Sequence, residues 1–139
     1  MPRKARGRLL WGCISTSERV NRLSLKAALL YTWLIPHVDD QGRVSGESAT
    51  IKAVVCPLRK DIEEAEIPKL LSEMEDMGLI ILYSDMRVIT GMIQIVNWWD
   101  YQALRDPQPS RYPPPEGWNQ DRLVAQAHDQ SGRFRRVEP

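Results

Sequence analysis

The chain has 139 residues, 42% of them hydrophobic, two cysteines and a formal net charge of +1, which suits one modest domain burying roughly 60 to 70% of its unfolded surface. That balance argues for neither a uniformly basic nucleic-acid binder nor a membrane-surface protein. The charge is unevenly placed, however: residues 1–60 carry eleven Lys/Arg against four Asp/Glu, a net of +7, and residues 61–100 carry two against nine, a net of −7.

Residues 1–13 read as a flexible basic arm, with Arg3, Lys4, Arg6 and Arg8 and no acid among the first eight positions. Leu9, Leu10 and Trp11 are too few to form a signal-peptide core or a membrane span, so neither export nor anchoring is expected. Cys13 and Cys56 have no CxxC spacing and no histidine pair nearby. They are expected to be reduced, buried thiols rather than a disulfide or a zinc site.

Ser15 with Glu18 matches a capping box and predicts a short helix to Asn21. Ser24 is placed to cap the next helix, in which Ala27, Leu30, Tyr31 and Leu34 recur at helical period until Pro36 stops it. The run His37, Asp39, Asp40 offers too few ligands for a metal and reads as a polar connection ending at Gln41-Gly42. Arg43 to Ser45 predicts a short strand. A second helix is expected from Glu47 or Ser48 to Val55, with Ile51, Val54 and Val55 inward, Lys52 outward and Pro57 beyond it.

Pro68 is tolerated only in the first turn of a helix, so the third helix is expected to begin near Glu64 or Ala65. Ile67, Leu70, Leu71, Met74 and Met77 form its core stripe, and Gly78 ends it. Leu79 to Tyr83 and Met92 to Val96 predict two paired strands joined somewhere between Ser84 and Gly91. Trp98 and Trp99 leave the second strand, where alternation places one toward the core and the other toward a partner. Five prolines in DPQPSRYPPPEGW then predict an extended strap, which Trp118 anchors, and Asn119 to His128 a short weak helix.

The expected fold class is therefore α+β: a winged helix-turn-helix over residues 14–102, made of three main helices plus a small antiparallel sheet or wing. An extended proline-rich C-terminal tail follows at 103–139. In order, ALLYTWLIPHVDDQGRV, IKAVVCPLRKDI, LLSEMEDMGLI, IQIVNWWDYQ and PSRYPPP resemble the N-terminal winged-helix module of phage and bacterial replisome organisers, the DnaD-like proteins, over residues 14 to 115. The resemblance implies work in replication initiation or primosome assembly on phage DNA in a bacterial cytoplasm or at the nucleoid, and self-association through this module. Full-length members carry a second, C-terminal domain; here a proline-rich tail follows instead, so helicase loading is not part of the expectation.

In the usual docking mode the third helix lies in the major groove. Here its outward stripe is Glu66, Lys69, Glu73 and Asp76, with Glu75 beside it. A carboxylate about 5 Å from a phosphate is repelled by roughly 1 kcal/mol in water and about 3 at a dielectric of 20, comparable to the roughly 1 to 3 kcal/mol from a good base contact. Base reading by this helix is thus disfavoured. Glu66, Glu73 and Asp76 suit a basic protein partner, or solvation helped by pairing with Lys69. Contacts to DNA phosphates are expected instead from Arg3, Lys4, Arg6, Arg8, Lys52, Arg59, Lys60 and Arg87. The partners expected are DNA, replication proteins or a second copy of the chain; a transcriptional regulator or a protein-interaction adaptor is the alternative. No membrane, small-molecule substrate, metal or cofactor is expected, and neither is catalysis, because no nucleophile set and no phosphate loop is present.

Overall fold

The structure is a computed structural model and describes residues 7–123. Arg3, Lys4 and Arg6 of the arm, and the helix expected up to His128, therefore lie wholly or partly outside the described residues. The order of elements is a 3-10 turn at Gly12–Ser15, α1 (Glu18–Asn21), α2 (Leu25–Leu34), β1 (Arg43–Ser45), α3 (Ser48–Val54), α4 (Ile67–Asp76), β2 (Ile80–Asp85), β3 (Val88–Ile95) and α5 (Trp98–Tyr101). The fold is α+β, with a three-stranded antiparallel sheet in the order β1-β3-β2.

Local chemistry sets most boundaries. Ser24 Oγ accepts from Ala27 N and caps α2. Ser17 rather than Ser15 caps α1, accepting from Val20 N. A 3-10 turn over Ile35–His37 carries Pro36 past the end of α2. Pro68 falls in the first turn of α4, where its missing donor has no intrahelical acceptor to serve. Gly78 ends that region with φ +74, a left-handed conformation that a glycine adopts without strain.

The helices pack on one face of the sheet. Ala27, Leu30 and Leu34 of α2, Ile51 of α3 and Ile67, Leu70, Leu71 and Met74 of α4 meet Ile80, Ile93 and Ile95 in the core. Val55 and Cys56 lie in the core as expected, whereas Val54, expected inward, is half exposed. Burial pushes the Cys56 thiol up from its ordinary range. Cys13 departs from expectation in being exposed.

The hairpin is longer than expected, closing through Met86 and Arg87 between the paired Asp85 and Val88, with an irregularity between Tyr83 and Asp85. Register explains the other face of the sheet. Arg43 pairs with Gln94, Ser45 with Met92 and Tyr83 with Met92, so these side chains project to the side away from Ile93 and Ile95. Arg43, Ser45, Met92 and Gln94 are nevertheless buried, because residues 105–123, which contain no helix or strand, run across that side.

The connection from Asp39 to Arg43, expected to be a solvated polar turn, is buried at Asp40, Gln41 and Arg43. Asp39 Oδ1 accepts from Gln41 N and Arg43 N, both at 3.0 Å, and its carbonyl accepts from Gly42 N. Gly42 has φ +84, and a Cβ there would lie 2.8 Å from Trp98 Cγ. Gly117 has a similar φ of +78 and nothing within 4 Å. Gly42→Ala is therefore expected to cost about 3 kcal/mol, combining left-handed strain with overpacking, and Gly117→Ala only about 1; urea denaturation of the two variants measures the difference.

Candidate functional site

The two tryptophans do not divide between core and surface. Both are buried, because the chain leaves β3 through Asn97, at φ 60, straight into the helical turn α5 instead of continuing as a strand. Trp98 Nε1 donates to Asp40 O at 2.8 Å. The Trp99 ring lies 4.9 Å below the Arg122 guanidinium, a cation–π contact made by the strap. Trp118 is half buried and donates from Nε1 to Asp121 Oδ1 at 3.0 Å.

Beneath the strap lies a polar network that composition alone does not announce. The Arg43 guanidinium, 1% exposed, donates from Nε to Gln94 Oε1 at 2.7 Å and makes a bidentate pair with Asp121 at 2.8 and 2.5 Å. Gln94 Nε2 donates to Gln41 O. Gln41 Nε2 donates to the carbonyls of Gln108 and Arg122, and its Oε1 accepts from Arg122 N. Asp40 accepts from Gln108 N at 2.9 Å, Asp39 from Ser110 Oγ at 2.5 Å, and Tyr83 Oη donates to Pro113 O at 2.6 Å.

The cations expected to grip phosphate are mostly engaged within the molecule. Arg8, placed in the flexible arm by its sequence, has a buried side chain that donates to Asp40 Oδ1 at 2.9 Å and Val38 O at 3.1 Å and lies over Trp98. Lys52, expected to point outward, donates from Nζ to the carbonyls of Cys56, Arg59 and Ile62 and ties the end of α3 to the following turn. Arg59 pairs with Asp61, and its hydrogen bond holds the Asp61 carboxyl below the usual range. Arg87 pairs with Asp85 in the same way and draws that carboxyl down to about 2. Lys60 is exposed. The last three share the open surface, where such pairs are worth little and exchange readily.

The acids of α4 are also largely committed. Glu73 accepts from Ser24 N at 2.9 Å and Ser24 Oγ at 3.0 Å, so it fastens the start of α2. Glu66 accepts from Glu63 N and then from Lys26, and those bonds hold its carboxyl below the ordinary range. Glu75 accepts from Leu82 N at the base of the hairpin. The partners are thus Ser24, Lys26 and Leu82 rather than the expected Lys69. Asp76 stays exposed. A groove of about 430 Å³ bordered by Trp11, Val20, Tyr31, Ile95 and Tyr101 flanks the exposed Leu9 and Leu10. Sequence reasoning singled out neither that groove nor the Arg43 network; the signal for the latter was a polar Gln94 inside an apolar strand.

Lys52→Ala is expected to lower stability by about 2 kcal/mol, because three carbonyls lose a charged donor, whereas Lys60→Ala stays within about 0.5; urea midpoints report both. Burial first, and then nearby carboxylates opposing Arg43, push the Tyr83 phenol up to about 12. Its neutral form is favoured in the folded state, so its contribution is complete below about pH 10 and disappears as pH rises through about 12. The difference in denaturation midpoint between the unaltered chain and Tyr83→Phe is expected to shrink across that window.

Against known proteins, the chain matches no family model, no curated protein and no solved structure.

Proposed function

We propose that the chain is a winged-helix module of the replication-initiation type, serving as a docking unit for replication proteins and touching DNA only weakly through phosphates. The observation that carries the fold part of this reading is the order α2-β1-α3-α4-β2-β3 with the sheet ordered β1-β3-β2. In it α4 takes the place of the DNA-reading helix and the Met86–Arg87 turn that of the wing tip. The motifs resembling replisome organisers support the replication part.

Weak DNA contact follows from the side chains. An α4 surface carrying Glu66, Glu73, Glu75 and Asp76 repels phosphate, which disfavours a sequence-reading transcriptional regulator. Arg8 and Lys52 hold the fold together, leaving Arg59, Lys60 and Arg87, with Arg3, Lys4 and Arg6 of the arm, to meet a backbone. A second reading, an adaptor that binds protein alone, is favoured by the internal pairing of Arg59 and Arg87.

A salt titration on random-sequence duplex DNA separates the two. Three to six neutralised phosphates give a slope of log affinity against log salt of about −3 to −5. Lys60→Ala is expected to reduce that slope by about 0.9, and Lys52→Ala to leave it unchanged. Affinity that does not move with salt transfers the reading to the adaptor.

A further inference from the structure

Residues 105–123 are held to the domain in an unusual way. Among the described residues, no backbone–backbone hydrogen bond joins them to the helices or the sheet; the backbone bond they do make, Trp118 N to Pro115 O, is internal. Domain side chains bind their main chain instead. Gln41 takes the carbonyls of Gln108 and Arg122 and the Arg122 amide. Asp40 takes the Gln108 amide, and Tyr83 the Pro113 carbonyl. Two strap side chains reply with hydrogen bonds of their own to the turn and β1, Ser110 to Asp39 and Asp121 to Arg43.

That pattern is how a groove reads an extended peptide. A proline-rich chain has few amide donors and no internal ladder, so its carbonyls stand free for donors such as the Gln41 amide and the Tyr83 hydroxyl. The bidentate Arg43 adds a demand for a carboxylate at a fixed point. An open cleft of about 390 Å³, lined by Arg43, Arg87, Val88, Tyr112 and Leu123, borders the strap on its hairpin side.

We propose that the face made by the Asp39–Arg43 turn and Tyr83 is a peptide-binding groove, that residues 105–123 fill it in cis, and that its external ligand is an extended, proline-containing protein segment whose carboxylate replaces Asp121 on Arg43. These contacts would serve a peptide whether or not the domain is a winged helix. The strap competes at an effective concentration on the order of mM, so an external segment gains the groove when the strap's own latches are weakened.

The test uses the full chain and a fluorescently labelled synthetic peptide spanning residues 105–123. Ser110→Ala and the double variant Asp121→Asn/Ser110→Ala weaken the strap while leaving the groove residues intact. Saturable peptide binding is expected to be at least tenfold tighter for the double variant than for the unaltered chain, with Ser110→Ala between them. A peptide carrying Asp121→Asn is expected to bind at least tenfold more weakly. Equal affinity for all three proteins, or indifference to the peptide's own aspartate, overturns the proposal. So does cooperative loss of the helical circular-dichroism signal in the double variant, which would make the strap part of the core. If that variant does not express, Ser110→Ala must still bind the peptide more tightly than the unaltered chain, and failure there overturns the proposal equally.

Discussion

A guanidinium buried to 1% exposure constrains everything around it. Removing a charge from water carries an effective penalty of several kcal/mol, and leaving it unpaired costs about 3 to 5. Arg43 avoids that outcome by drawing on two distant parts of the chain, Gln94 in the central strand and Asp121 in the strap. Arg8 repeats the device at the edge, where Asp40 answers it. Because both carboxylate bonds are long-range, they fix Arg8 to the Asp40 turn and the strap to β1. A small antiparallel sheet ordinarily leaves one face to water; here helices cover one side and the strap the other.

Part of the charge polarity of the sequence is met inside the molecule. Lys26 of the basic half meets Glu66 of the acidic half, Glu73 accepts from Ser24, the cap of α2, and Glu75 accepts from Leu82 N in β2. These carboxylates thus tie α4 to α2 and to β2, and the bonds from Ser24 N and Leu82 N satisfy backbone amides that would otherwise lack a partner. A helix used in this way is a hub for its own domain. Of the cations and α4 acids expected to meet a partner, Asp76, Lys60 and the pairs at Arg59 and Arg87 are the exposed ones among the described residues without a bond to another element.

Much of the architecture was legible because it rests on local rules. The apolar periods of α2 and α4, the cap at Ser24, the tolerance of Pro68 and the stop at Gly78 each act within a few residues, and each fixed an element. The polar network was not legible because it joins residues 51 to 81 positions apart. A turn such as Asp39-Asp40-Gln41-Gly42 has the composition of a solvated loop, and only the register of β1 against β3 places Arg43 opposite Gln94. The same limit explains Arg8, Lys52 and Trp99. Sequence neighbours suggest a free arm for Arg8, an outward Lys52 and one outward tryptophan of the pair, while each position is decided by carbonyls, carboxylates or a cation supplied from elsewhere. The candidate cations were therefore recognisable as charges, but whether they were free for a ligand was not.

The way the strap is held also bears on how its sequence can change. Gln41, Asp40 and Tyr83 bind main-chain atoms that every residue type presents, or nearly every one, so most strap positions are read only as an extended path. Constraint concentrates at Ser110 and Asp121, whose side chains bond the domain, at Trp118 and Arg122, which meet Asp121 and the Trp99 ring, and at Pro107 and Pro115, which are buried. Between those points the segment can drift in composition while its course over the sheet is kept. A region that looks poorly specified residue by residue can in this way be tightly specified in shape.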